Sequence, residues 1–260
     1  MSPVRISASD GRQAVIRGSD DPTAPKALAF DVFGTVVDWR TGVARESAAF
    51  LAKIGRADVA ATGFADAWRF RYIETMRAFR QSGRAFATLD VLHREMLEDT
   101  LRAEGVDPAT LDEALLADWN RAWHRLDPWP DAVAGLTRLK AHLPIVTLTN
   151  GNIALMLAMA RHGGLPWDAL LGAEVTRAYK PDPRAYLGTA DVLGLAPAQL
   201  CLVAAHHSDL AAARACGLLT AYVHRPLEYG GREAPDAGAL QAWEWSAESL
   251  TDLADFLGCR

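Results

Sequence analysis

The residues able to do chemistry fall in four short clusters. Asp31-Val32-Phe33-Gly34-Thr35 offers an acid and a hydroxyl, and Thr149-Asn150-Gly151-Asn152 a hydroxyl with amides. Tyr179-Lys180-Pro181-Asp182 brings an ammonium, and Ala205-His206-His207-Ser208-Asp209 brings imidazoles and a second acid. Gathered in one place, an acid, a hydroxyl plus amide, an ammonium and a second acid suit an anionic substrate attacked by a carboxylate.

The elements that must gather them are legible as hydrophobic pattern. Ala27-Leu28-Ala29-Phe30 is a short apolar run ending at Asp31, the pattern of a strand covered on both faces. Runs of the same kind occur at 144–148, 200–204 and 219–223, with helical periodicity at about 131–142, 153–162, 183–194 and 208–216 and a closing helix near 247–257. Strand and helix alternating in this way predict an α/β fold with a doubly wound parallel-sheet core and right-handed crossovers. In such sheets ligands bind beyond the carboxyl ends of the strands, where the four clusters fall. The interval 43–127 breaks the rhythm with helical patterns at about 43–54, 63–82, 88–104 and 108–123, broken at Gly83, Gly105–Pro108 and Asp127–Pro130. The expected organisation is a flexible tail over 1–25, a core over 26–42 plus 128–260, and an inserted α-helical domain over 43–127.

Composition narrows the functional classes. Half of the 260 residues are hydrophobic, enough for a sizeable core. The net charge is −5, and no basic block is present to neutralise phosphates, so nucleic acid is not an expected partner. No apolar run approaches the roughly 20 residues that span a bilayer. The N-terminus carries Asp10, Asp20 and Asp21 with no apolar segment and does not read as a secretory signal. Three cysteines without metal-type spacing read as reduced thiols of a cytoplasmic protein.

Taken in order, Asp-x-x-Gly-Thr, Thr-Asn, Lys-Pro-Asp and a last loop ending in Asp, with helices inserted after the first motif, resemble the haloacid dehalogenase-like hydrolases over about 28–257. The resemblance implies a Rossmann-like core and a helical cap. Phosphatases of that superfamily carry a second acid two residues after the nucleophile and another four before the final Asp; here those positions are Phe33 and Ala205. A halide needs neither the proton donor nor the metal ligand that these acids supply. The chain is therefore most similar to the (S)-2-haloacid dehalogenases (type II), through Asp31–Asp38, the cap pair Trp68-Arg69 with Tyr72 one turn on, Thr149–Asn152, and Tyr179–Pro183 followed by Tyr186. The last loop departs from them: Ala204 stands where Ser is usual and His206 where Asn is usual.

The resemblance implies roles for these residues. Asp31 becomes the nucleophile that forms an ester, and Lys180 keeps it ionised, since an opposite charge lowers a carboxyl pKa. Thr35 orients Asp31 or caps its turn. Thr149 and Asn150 bind the substrate carboxylate or developing charge, and Arg69 takes the halide and carboxylate end. Phe33, Trp39 and Trp68 are expected as apolar walls. Tyr186 donates near Lys180, and His206 serves the halide or the water. Asp209 positions or deprotonates the hydrolytic water, or else holds Lys180. Asn152 and Asp209 also suit helix N-caps. The implied reaction is hydrolytic dehalogenation of short (S)-2-haloalkanoates, with a small haloacid as partner and neither cofactor nor metal. Members of this group are commonly dimers, which makes a homodimer an implication of resemblance alone. The competing readings are a magnesium-dependent phosphatase and a non-catalytic member that binds a small anion.

Overall fold

The computed structural model describes residues 24–260 apart from Ser82, together with two short strands, β1 (Arg5–Ser7) and β2 (Gln13–Val15), which pair antiparallel. Apart from these strands, the tail expected over 1–25 lies almost wholly outside the described residues.

All four apolar runs form strands of one parallel sheet: β3 (Ala27–Phe30), β4 (Ile145–Thr147), β5 (Leu200–Ala204) and β6 (Leu219–Val223). A fifth strand, β7 (Trp245–Ala247), extends the sheet to the order β4-β3-β5-β6-β7. Alternating side chains of β3 and β5 feed two cores. Leu28, Phe30, Cys201 and Val203 face one side and Ala27, Ala29, Leu200 and Leu202 the other. Helix α5 (Ala132–Lys140) packs against α10 (Leu250–Phe256) in the first core. After β4 come α6 (Ile153–Gly163) and the short α7 (Ala173–Thr176); the next helices, α8 (Pro183–Val192) and α9 (His207–Ala215), send Tyr186, Ala190, Leu210 and Ala213 into the second core. Covering both faces in this way is what lets β3 and β5 be apolar throughout.

Between β3 and β4 the chain leaves the sheet for α1 (Trp39–Lys53), α2 (Ala61–Gln81), α3 (Leu89–Ala103) and α4 (Glu113–Asn120). Helix α1 begins four residues before the expected boundary at 43, because Asp38 accepts a hydrogen bond from Thr41 N at 3.0 Å and so starts the helix on Trp39-Arg40-Thr41-Gly42. The single helix expected over 108–123 is instead a 3₁₀ turn at Pro108–Thr110, then α4, then a 3₁₀ turn at Arg121–His124. Asp107 and Asp112 each cap a separate start. Aromatic stacking consolidates this layer, with Trp119 between Phe50 (5.3 Å) and Phe64 (5.1 Å).

Candidate active site

Strand β3 has β4 on one side and β5 on the other, so the sheet order reverses at its carboxyl end. Asp31 is the next residue, and its N–H still donates to Val203 O at 3.0 Å, continuing the ladder. The turn that follows is tight. Gly34 adopts φ +85°, and a Cβ there would lie 2.1 Å from Oε1 of Glu228, so both backbone and space require glycine. Gly34→Ala is expected to cost about 1–3 kcal/mol, read as a lower Tm in a thermal melt. An unchanged Tm would contradict this close approach.

Asp31 is 6% exposed. Its Oδ1 accepts from Lys180 Nζ at 2.9 Å, and its Oδ2 accepts from Thr35 Oγ1 at 2.8 Å and from Nδ1 of His206 at 3.1 Å. Burial favours the neutral acid, but the Lys180 ammonium and the His206 hydrogen bond more than offset it and hold the carboxyl well below the usual carboxylate range. Lys180 also donates to Oδ2 of Asp209, whose Oδ1 accepts from the Tyr186 hydroxyl at 2.6 Å. Burial disfavours the ammonium, yet Asp209 and Asp31 together keep it above an ordinary lysine. Burial and Asp209 likewise push the Tyr186 hydroxyl up, so it stays a donor. Thr35, fully buried, accepts from Ala205 N at 2.8 Å as well and so ties the first loop to the fourth.

His206 lies between two acids. Opposite Asp31, its Nε2 is 3.0 and 3.1 Å from the two carboxylate oxygens of Glu228. A ring nitrogen facing a carboxylate must donate, and here both do, so the ring is an imidazolium. Burial opposes that charge, but Glu228 and the two hydrogen bonds raise His206 well above an ordinary imidazole. Glu228 is 2% exposed and also accepts from Trp39 Nε1 at 3.0 Å. Sequence reasoning missed Glu228, which sits in the loop after β6 at no motif spacing. The one available signal was that a histidine in the fourth loop would need a partner.

Asp31, Lys180, Tyr186, His206 and Asp209 thus meet at a cavity of about 810 Å³, whose wall includes Phe33, Asn150 and Arg69. The Arg69 guanidinium carbon stands 4.6 Å from the Tyr72 ring centroid and 5.5 Å from that of Trp39. Among the described residues no carboxylate pairs with it, which leaves its donors for an anion in the cavity. Asn150 binds the third loop through Lys180 N (2.7 Å) and donates to Tyr72 OH on α2 (2.5 Å). Phe33 packs edge-on against Trp123 at 5.9 Å.

Four expectations need correction. Thr149 is not on this wall; its hydroxyl accepts from Gly151 N at 3.2 Å and faces the segment at Leu171–Gly172, so it holds the turn. Trp68 is fully buried behind the wall and donates Nε1 to His93 O at 3.0 Å. Asn152 makes no side-chain cap bond. Instead it donates Nδ2 to Asp90 Oδ2 (2.8 Å) and accepts from Asp90 N (3.1 Å), fastening the start of α3 to the loop after β4. Asp209 falls inside the first turn of α9, so it is not that helix's N-cap.

The donor set does not fit a divalent cation. The Lys180 ammonium occupies the position between Asp31 and Asp209, Phe33 and Ala205 offer no oxygen, and no metal-ligating cluster forms among the described residues. No helix among the described residues is long and apolar enough to cross a membrane.

Comparison with known proteins gives the family. The haloacid dehalogenase-like hydrolase family model matches residues 25–217. An (S)-2-haloacid dehalogenase of Xanthobacter autotrophicus is 32% identical over 202 residues, covering 77% of this chain and 75% of that protein. The crystal structure of a defluorinating L-2-haloacid dehalogenase superposes with TM-score 0.87 at 47% identity, over 99% of this chain and all of the other. The X. autotrophicus L-2-haloacid dehalogenase with chloropropionic acid covalently bound gives TM-score 0.75 at 28% identity, over 90% and 98%.

Proposed function

Since the chain belongs to the haloacid dehalogenase-like hydrolase family, alongside its (S)-2-haloacid dehalogenases, we propose that it removes halide from short (S)-2-haloalkanoates through an ester of Asp31. The observation that carries this reading is a buried, ionised Asp31 lining one cavity with Arg69, a guanidinium that pairs with no carboxylate among the described residues.

In the proposed sequence Arg69 and Asn150 receive the anionic substrate, and the wall at Phe33 keeps water from the Asp31 carboxylate, which raises its nucleophilicity. Lys180 keeps that carboxylate charged and oriented. One oxygen attacks C2 from the side opposite the halide, so the configuration inverts, an ester forms and halide leaves as a stable anion. Water then adds to the Asp31 carbonyl carbon and the bond to the original Asp31 oxygen breaks, so that oxygen departs in the 2-hydroxy acid. The covalently bound chloropropionic acid of the Xanthobacter enzyme supports such an intermediate. The likeness to a defluorinating enzyme supports fluoroacetate as a substrate.

The test is halide release from fluoro-, chloro- and bromoacetate and from both enantiomers of 2-chloropropionate, with and without chelator. We expect release from the haloacetates, a preference of about 100-fold or more for the (S)-enantiomer, and no effect of chelator. Chelator-sensitive hydrolysis of a phosphate ester in place of halide release would overturn the reading in favour of a magnesium phosphatase.

A further inference from the structure

We propose that His206 activates the water that opens the Asp31 ester, with Glu228 as the positioning residue behind it; this inference rests on the ester reading above. His206 Nδ1 lies 3.1 Å from Asp31 Oδ2, on the same carboxyl group whose carbon the water must reach. Its other nitrogen is gripped by both oxygens of Glu228, which is itself fixed by Trp39 Nε1 and packed against Gly34. The ring therefore has one orientation. The other acid of that loop, Asp209, has both oxygens engaged, one by Lys180 and one by Tyr186. Ala204 and Ala205 bring no polar side chain, so His206 is the group of this loop that addresses Asp31.

Esterification itself would switch the histidine on. While Asp31 is a carboxylate, Nδ1 must donate to it. Once Asp31 is a neutral ester, one of the two charges that stabilise the imidazolium is gone, and the Nδ1 proton passes to solvent. Glu228 retains the Nε2 proton, which fixes the tautomer with the Nδ1 lone pair directed at the ester. Nδ1 then takes a proton from water as the oxygen bonds to the Asp31 carbonyl carbon. That proton passes to the departing alkoxide, and the remaining water proton, left on the regenerated carboxyl, restores the imidazolium. The sum is haloacid plus water giving hydroxy acid, halide and one proton. The titratable groups facing the ring are Asp31 with Lys180 behind it, Glu228 and Tyr229 from the loop after β6, Tyr222 from β6, and the adjacent His207 with Asp236 beyond it.

The experiment separates the two half-reactions by rapid quench with chloroacetate, reading halide for alkylation and intact mass for the ester. In His206→Gln we expect alkylation within about tenfold of the parent, deacylation slower by roughly 10²–10³-fold, and ester accumulating on the protein. In Glu228→Gln deacylation slows about tenfold, and its pH midpoint moves down, because an imidazolium without that carboxylate loses its proton more easily. The Glu228→Gln midpoint carries the test by itself should His206→Gln fail to fold. Parallel loss of both half-reactions with an unmoved midpoint, or deacylation at the parent rate in both variants, overturns the proposal. Absence of any ester in the parent overturns instead the reading on which it rests.

Discussion

Asp31→Asn is expected to abolish halide release, a fall of roughly 10⁴-fold or more, while the protein stays folded. The two halves of that expectation have different origins. Activity is lost because an amide has no anionic oxygen to bond to C2. The fold survives because of how charge is distributed at the cavity floor. Lys180 contacts Asp31 and Asp209, and His206 contacts Asp31 and Glu228, so each cation has two carboxylates. Removing the shared one leaves each cation with a partner and orphans none, unlike the usual deletion from a buried pair. A halide electrode and a thermal melt check both halves, with Tm expected to correspond to a change of about 1 kcal/mol. The parent supplies the complement: in a single turnover in ¹⁸O-water the label should enter Asp31 and not the product. Parental halide release by Asp31→Asn would require another nucleophile, and no halide release from the parent itself would return the protein to the class of anion binders.

How much of this was legible in the sequence depends on the range over which each contact acts. Strands β3 to β6 announce themselves because a strand buried on both faces is a mostly apolar run, complete in Leu200-Cys201-Leu202-Val203-Ala204 and broken only by threonine or tyrosine in β4 and β6. Strand β7 does not, since three residues with an exposed Ser246 in the middle carry no period. Asp31 and Asp209 could be placed together because each lies just beyond the carboxyl end of a strand, β3 or β5, and Lys180, in a loop between two helices, through the order of the motifs. Thr149 obeys the same rule but its side chain turns the other way, and one residue of a turn decides that. Glu228 was invisible for a different reason: it reaches His206 from a long loop whose path is set by Trp39, Gly34 and the cap, contacts with no fixed separation in the chain. Asn152 reads as a cap because its local context is a helix start, but the distant Asp90 outcompetes the local bond.

Lys180→Met should be the mirror image of Asp31→Asn, damaging stability as well as activity. Methionine fills nearly the same space, so packing changes little. What remains is two buried carboxylates, Asp31 and Glu228, and the partly buried Asp209, around one cation, His206. Breaking a buried pair in this way costs about 3–5 kcal/mol near neutral pH. The pH dependence gives the mechanism away. In the parent the folded Asp31 carboxyl is depressed, so its contribution to stability is present above its unfolded value, about 3.9, and is lost as pH falls toward the folded one. Without Lys180 the burial that already opposes ionisation loses its largest opponent, and the Asp31 carboxyl should rise above its unfolded value. A group raised in the folded state is stabilising below its unfolded pKa and loses that contribution as pH climbs through the folded one. The stability gap between variant and parent should therefore be widest near pH 7 and narrow toward pH 4, as melts across that range would read. Halide release should fall by roughly 10²–10³-fold at neutral pH, and its acidic limb should move to higher pH because attack needs the ionised acid. A variant whose acidic limb stays where the parent's lies would show that Lys180 does not hold the nucleophile's charge, whatever its loss of rate.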